Sequence, residues 1–368
     1  MKNNFIPLAK PFIDKDDILG VTKVLRSGLL SLGPNISEFE KKFASYIGTK
    51  YACAVSSGTA GLHLAVKALG LKNGDEVITT PFSFIASSNC LLYEGVKPVF
   101  VDIEENTFNI DPDKIEAAIT MKTKALLVVH IFGQPAEMDR IMKIAKRHNL
   151  LVIEDACESV GAKYMTKSTG TFGNIGVFAF YPNKQMTTGE GGMVVTASQR
   201  IYNTCVKSRN QGRGKNMHTI SHEIMGYNYR MDGMSAALGI SQLNKVDKFI
   251  RERRKISKWY TDSLTNIAGI VIPKTLVDRS HSWFVYVIRV TDGNRDSLQK
   301  KLIKMGIQAK VYLPTIHLQP FMKREFGYTP GDFPVAEKVS SQALALPLFV
   351  GLKKKEVIRI TNIIKLNV

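Results

Sequence analysis

The stretch Val177-Phe-Ala-Phe-Tyr-Pro-Asn-Lys184-Gln-Met-Thr-Thr-Gly-Glu-Gly-Gly-Met193 decides how the rest of this chain is read. It opens as a short apolar strand, breaks at Pro182 and passes one lysine, Lys184. Two threonines and Gly189, Gly191 and Gly192 follow, before a second apolar run, Met193-Val-Val-Thr. A lysine on a Gly-rich turn between two strands is placed for close approach to a ligand. On spacing alone, a hairpin carrying a solvated lysine is the simpler account, so the chain upstream has to decide.

Upstream the pattern alternates strand and helix. Apolar runs at Tyr51–Val55, 76–80, 97–102, 125–131 and 150–155 read as strands, Ser56-Ser-Gly-Thr-Ala60 turns into a helix running to Leu69, and further helices are expected over 84–93 and 138–148. Continuously apolar strands alternating with helices predict an α/β fold, with a mostly parallel sheet covered on both faces. Right-handed crossovers then bring the strand C-termini to one edge. Two helices are expected before the sheet. One runs from Asp14 to Ser27, capped by Asp14 and closed by Gly28. The other runs from Ser37 to Ile47 and stops at Gly48. Helical patterns fill Gln199 to Leu264. A strand at 282–290 and helices at 296–305 and 353–365 then suggest a smaller α+β domain from about residue 255. The division is therefore 1–254 and 255–368.

The 368 residues suffice for two domains, and the formal net charge is +18. The basic residues are scattered, with dense clusters only at Arg251-Glu-Arg-Arg-Lys255 and Lys353-Lys-Lys355, and no aromatic interleaving. That argues against a nucleic-acid partner and reads largely as a solvated face. Cys53, Cys90, Cys157 and Cys205 are far apart, which is a reduced, cytosolic pattern without a zinc cluster. His218 and His222 are spaced i, i+4 but lack an obvious third ligand, so no metal is expected. The N-terminus has no signal-peptide pattern and no run is long enough to span a membrane, so a cytoplasmic protein is expected.

Three pieces fall where strands end. Ser56-Ser57-Gly58-Thr59 follows a strand and opens a helix, so its free N–H groups and hydroxyls suit a phosphate. An ordinary serine N-cap would look the same. Asp155 ends a strand, where a carboxylate is costly unless it meets a cation or caps the next segment. Phe84 follows another strand and offers a flat face, although core packing is the commoner fate of a phenylalanine. Together with Lys184 they supply a phosphate cradle, an aromatic plate, a carboxylate for a ring nitrogen and an amine. That set describes a site for pyridoxal 5′-phosphate (PLP).

These residues lie in longer motifs. They are Ser27-Gly-Leu-Leu-Ser-Leu-Gly-Pro34, Ser56-Ser-Gly-Thr-Ala-Gly-Leu-His63, Thr80-Pro-Phe-Ser-Phe84, Ile153-Glu-Asp-Ala-Cys-Glu158, Phe180–Gly192, Gly226-Tyr-Asn-Tyr-Arg230 and Leu313–Pro320. In their order and spacing the chain resembles the DegT/DnrJ-type nucleotide-sugar aminotransferases, within the fold-type I PLP enzymes. The resemblance implies a role for each matched residue. Lys184 would attach the cofactor and move the proton, and Asp155 would pair with the ring nitrogen. Ser57, Gly58 and Thr59 would hold the phosphate, and Phe84 would stack on the ring. Glu158 would lie near the cofactor's phenolate oxygen. Asn228 would reach the phosphate from a second subunit, making the active unit a homodimer. Arg230 and His317 would line the substrate side. The family often has serine where this chain has Ala179. The resemblance further implies amino transfer from L-glutamate to a keto group of a nucleoside-diphosphate sugar, C4 being slightly favoured over C3, for surface polysaccharide or glycoconjugate synthesis. A keto-inositol or other cyclic ketone is the alternative acceptor, and a non-catalytic PLP-binding regulator the distant one.

Overall fold

The computed structural model describes residues 5–214 and 221–368. His218, one of the two histidines spaced i, i+4, lies outside the described residues, and His222 places its Nδ1 2.7 Å from the carbonyl oxygen of Gln211. No group of three or more potential metal ligands occurs among the described residues.

The strands, in chain order, are β1 (Tyr51–Val55), β2 (Glu76–Thr79), β3 (Lys97–Phe100), β4 (Thr123–Val129), β5 (Leu151–Asp155), β6 (Lys163–Tyr164), β7 (Lys167–Ser168), β8 (Ile175–Ala179) and β9 (Gly192–Thr196), followed by β10 (Ile270–Val271), β11 (Arg279–Ser280), β12 (Tyr286–Val290), β13 (Lys310–Val311) and β14 (Ala343–Leu346). Seven of them form the central sheet, in the order β1-β9-β8-β5-β4-β2-β3. Its strands β3, β2, β4, β5 and β8 are parallel, and β9 runs opposite to both its neighbours. The expected mostly parallel α/β sheet is therefore observed. Lys184 sits on the connection between β8 and β9, the antiparallel step that adjoins the parallel block.

Alternate side chains of these strands enter different cores. Val177 and Val194 join Leu62, Val66 and Ile153 on one face, whereas Phe178, Met193 and Val195 join Phe39 and Phe43 on the other. Period-two alternation with both faces apolar is what a doubly covered sheet demands. Each fully buried Phe or Leu contributes about 1.5–3 kcal/mol on burial.

The N-terminal helix Lys15–Ser27 begins at a capping box. Asp14 accepts from the Asp17 N–H, and the Asp17 carboxylate accepts from the Asp14 N–H. Gly28 ends it at φ 72°. The second helix starts earlier than expected, at Pro34, and ends at Gly48.

A second, antiparallel sheet orders its strands β10-β12-β14-β13. The helices Arg295–Lys304 and Lys354–Lys365 pack on it. The helix Val246–Leu264 runs unbroken through position 255 and serves both cores. Val246 and Ile250 pack with Phe39 and Phe43, and Ile256, Tyr260 and Leu264 pack with the C-terminal sheet.

One strand is shorter than its sequence suggests. The apolar run from Ser282 becomes β12 only at Tyr286. Trp283 has φ 55°, and the N–H groups of Ser282 and Phe284 donate to the carbonyls of Gly133 and Phe132 instead of to the sheet. Competition from the 131–133 turn diverts the start of the strand towards the large sheet. That diversion places Phe284 at the site described next.

Candidate active site

The C-terminal ends of β4, β5 and β8 open into a cavity of about 420 Å³, closed on the far side by Phe284 and Tyr312. This is where the crossover geometry of a parallel sheet puts a ligand. A larger groove of about 500 Å³, lined by residues of the helices Lys15–Ser27, Pro34–Ile47 and Gly233–Leu243, contains neither Lys184 nor Asp155. The chemistry converges in the smaller cavity.

At one end lies the start of the helix Gly58–Ala68. Ser57 is its N-cap, and the Ser57 hydroxyl accepts from the Ala60 N–H at 3.0 Å. Gly58 and Thr59 occupy the first two helical positions, whose N–H groups have no partner within the helix and, with the helix dipole behind them, suit an anion. Gly58 is required there. A Cβ at that position would lie 2.7 Å from Ala179 Cβ and 3.0 Å from Cys157 Sγ, so a side chain would fill the cradle. Ala179 lines the same end with a methyl group.

Asp155 closes β5 and is buried. Its Oδ2 accepts from the Ser87 hydroxyl at 2.7 Å, and its Oδ1 accepts from the Cys157 N–H at 3.2 Å. The Ser87 hydroxyl also lies 2.8 Å from that of Ser83. Both serines precede or open the helix Ala86–Leu92, so the segment after β2 orients the carboxylate from the side. Neither serine stands out in the sequence, because a serine near a helix start is ordinarily a cap. Phe84 comes two residues before this helix, lines the cavity and is 61 % exposed. A large aromatic left this open is available to a flat ligand.

Lys184 reaches the cavity from the β8–β9 connection. Its ammonium lies 3.4 Å from Glu158 Oε1 and 3.9 Å from the centroid of the Phe284 ring. Glu158 Oε2 accepts from the Phe132 N–H at 2.9 Å. Burial raises the Glu158 carboxyl above its usual range, against the pull of the Lys184 charge. Burial, and then the Glu158 charge, push the Tyr312 hydroxyl up to about 12, so it stays a donor at neutral pH. Phe284, Tyr312 and the nearby Lys310 come from the C-terminal region, and no sequence motif marks them as part of the site.

Ser57, Gly58, Thr59, Phe84, Asp155, Glu158 and Lys184 thus meet in one cavity. Three other expected site residues lie elsewhere in this chain. Asn228 is exposed, between Tyr227 and Tyr229. Those two rings stack at 5.0 Å, the Tyr227 hydroxyl donates to Glu94, and the Tyr229 hydroxyl is 3.0 Å from His63 Nδ1. Arg230 donates to Asn210 Oδ1 at 2.9 Å and lines a separate groove beside Arg209. His317 is fully buried, with Nε2 3.0 Å from Glu337 and its ring edge-on to Phe333. Burial lowers the His317 ring below the usual histidine range.

The donor set fits PLP. A cradle that a Cβ would fill, with free helix N–H groups, suits the phosphate. A buried carboxylate held by two donors suits a protonated ring nitrogen, and an amine in the same cavity suits an aldehyde.

Comparison with known proteins agrees. The model of the DegT/DnrJ/EryC1/StrS aminotransferase family matches residues 11–365. GDP-perosamine synthase of Caulobacter vibrioides is 38 % identical over 96 % of this chain and 96 % of its own length. UDP-N-acetyl-3-dehydro-alpha-D-glucosamine 3-aminotransferase of Acidithiobacillus ferrooxidans is 34 % identical over 99 % of this chain and 96 % of its own. Among solved structures, Spr1654 of Streptococcus pneumoniae in its PLP-form superposes with a TM-score of 0.94 at 26 % identity, over 98 % of both chains. A sheet edge that carries a lysine, a buried aspartate and a helix N-terminus into one cavity, within a sequence matched from end to end, makes this chain a member of the DegT/DnrJ/EryC1/StrS aminotransferase family, whose enzymes depend on PLP.

Proposed function

We propose that this chain transfers an amino group from L-glutamate to a keto group of a nucleoside-diphosphate-linked sugar, at C4 in preference to C3. The setting would be cytoplasmic synthesis of surface polysaccharide or glycoconjugates. The observation that carries the reading is the convergence of Lys184, Asp155 and the Gly58–Thr59 helix start in one cavity. Relatives named for a GDP-linked and a UDP-linked product or substrate support the sugar-nucleotide class. The net charge of +18 suits a diphosphate-bearing acceptor. The segment Gly226–Gly239 supports C4 through its resemblance to enzymes acting at that position. The exposure of Asn228 supports a homodimer in which this residue reaches the second subunit's phosphate end. No helix among the described residues is long and apolar enough to cross a membrane.

When bound, the cofactor supplies the electron sink and carries the amino group between two substrates. The chain supplies the rest. Gly58 and Thr59 N–H groups bind the phosphate, with Ser57 capping the helix behind them. Asp155, held by Ser87 and the Cys157 N–H, keeps a proton on the ring nitrogen. Phe84 covers the ring and excludes water from one face. Lys184 Nζ would act as the general acid–base, taking a proton from the donor's α-carbon in the first half reaction and delivering one to the former keto carbon of the sugar in the second. Glu158, 3.4 Å from Lys184, holds or accepts a proton beside it. Arg230 and His317 are proposed for the substrate side, with Arg230 acting across the dimer.

The visible absorbance of the purified protein with PLP tests this, before and after L-glutamate, with Lys184→Ala alongside. A band that bleaches with glutamate and is lost in the variant supports the first half reaction. Return of the band with a GDP-linked 6-deoxy-4-keto-hexose, but not with a UDP-linked 3-keto sugar, supports the acceptor. A protein that stays colourless with PLP overturns the reading.

A further inference from the structure

The run Arg251-Glu-Arg-Arg-Lys255 reads as solvated charge, yet the helix Val246–Leu264 turns Arg253 into the core, where it is 3 % exposed. Its Nη1 donates to the carbonyl oxygens of Trp283, Phe284 and Leu348, each at 3.2 Å. Its Nη2 donates to the carbonyl oxygen of Lys184 at 3.1 Å. Burial lowers the guanidinium to about 10, with no carboxylate acting on it, so it is charged at neutral pH. A cation buried without a counter-ion is costly, and an apolar residue of similar volume fills such a space more cheaply. The planar fork does what an apolar residue cannot: it grips several carbonyls in fixed directions at once.

The four carbonyls belong to three separate segments. One is the turn that carries Lys184. Another is the diverted 282–285 segment, whose Phe284 ring lies 3.9 Å from the Lys184 ammonium. The third, Leu348, precedes the last helix. A single buried group therefore ties the backbone of the lysine to the backbone of the ring its amine faces.

We propose that Arg253 is a positioning residue for Lys184, fixing the lysine turn and the Phe284 segment to one rigid guanidinium so that the amine is presented at a single place in the cavity. The inference rests on the reading of Lys184 as the residue that captures PLP. It touches neither substrate nor cofactor. Its effect is on how fast, and at what pH, the amine reacts.

The test follows capture of PLP by the cofactor-free protein, as growth of visible absorbance, across a pH series. Arg253→Met fills the space and removes the fork, and Arg253→Lys keeps a charge without the fork. Tyr260→Phe is the control: Tyr260 is buried on the same helix, and its hydroxyl donates to the Pro347 carbonyl at 2.9 Å without reaching Lys184. Both Arg253 variants are expected to slow capture at least about tenfold and to shift its pH midpoint, while Tyr260→Phe lowers Tm and changes neither. Tenfold in rate corresponds to about 1.4 kcal/mol in the barrier. Capture within twofold of wild type in folded Arg253→Met overturns the proposal, whatever happens to Tm. Equal slowing in Tyr260→Phe, or failure of both Arg253 variants to fold, would assign Arg253 to the fold alone and equally overturn it. A wild-type protein that captures no PLP removes the functional reading itself, an outcome seen without any variant.

Discussion

Lys184 and Glu158 face each other across 3.4 Å inside the cavity, with both side chains largely withdrawn from water. The pair sits beside buried Asp155, so two carboxylates and one amine share a poorly solvated space. In such a space the resting place of each proton is set by burial as much as by the neighbours.

Glu158 therefore carries a stability signature. Burial raises its carboxyl, so the folded protein holds a proton that the unfolded chain has released above about 4.3. Between the unfolded and the raised folded value, folding takes up a proton, and stability falls as pH rises through that window. Below the unfolded value the contribution is flat. Glu158→Gln keeps an acceptor for the Phe132 N–H and removes the titration. The expected result is a Tm-against-pH curve that loses this decline in the variant. Parallel curves for the two proteins would remove the argument.

Gly58 and Ala179 are coupled by contact. Gly58→Ala forces a Cβ to within 2.7 Å of Ala179 and is expected to cost about 1–3 kcal/mol of stability, with weaker PLP binding. Ala179→Ser adds a hydroxyl at the phosphate end. One further hydrogen bond of about 1 kcal/mol tightens PLP about fivefold. Thermal unfolding and titration of the visible band measure both, and tighter binding by Gly58→Ala would contradict the cradle.

Ser87→Ala removes the 2.7 Å donor to Asp155 and leaves only the Cys157 N–H. A hydrogen bond to a charged group contributes about 1.5–3 kcal/mol. The PLP dissociation constant should rise roughly tenfold, equivalent to about 1.4 kcal/mol. Equilibrium binding followed by absorbance decides this, and an unchanged constant would show that Asp155 is oriented without Ser87.

Glu154, the neighbour of Asp155, does structural work on the opposite face of β5. It is fully buried, lies 3.0 Å from His130 Nε2, and accepts from the N–H groups of Gly170, Phe172 and Gly173. Glu154→Ala leaves three backbone donors unmatched, that of Gly170 buried and those of Phe172 and Gly173 partly so, and should cost about 3–5 kcal/mol, seen as a lower denaturant midpoint at unchanged m. A loss below about 1 kcal/mol would mean that the 170–173 turn is held by other contacts.

Much of this was legible beforehand because it is local. The Asp14 cap and Gly28 stop follow from which groups a helix end leaves unpaired. The parallel sheet follows from apolar runs alternating with helices. Lys184, Asp155 and the Ser57–Thr59 turn could be set at one edge because strand ends in a parallel sheet share it.

What the sequence by itself determined was the sheet, its active edge and the residue types delivered there, since period and turn chemistry act over a few residues. Only the tertiary structure decided that Phe284 leaves its expected strand to bond the 131–133 turn, that Ser87 serves Asp155, that Arg253 points inward, and that Asn228, Arg230 and His317 lie outside the cavity of their own chain. The reason is physical. Those outcomes depend on which distant backbone groups compete for the same hydrogen bonds and on which faces of a helix are covered, and neither is written in the spacing of neighbouring residues.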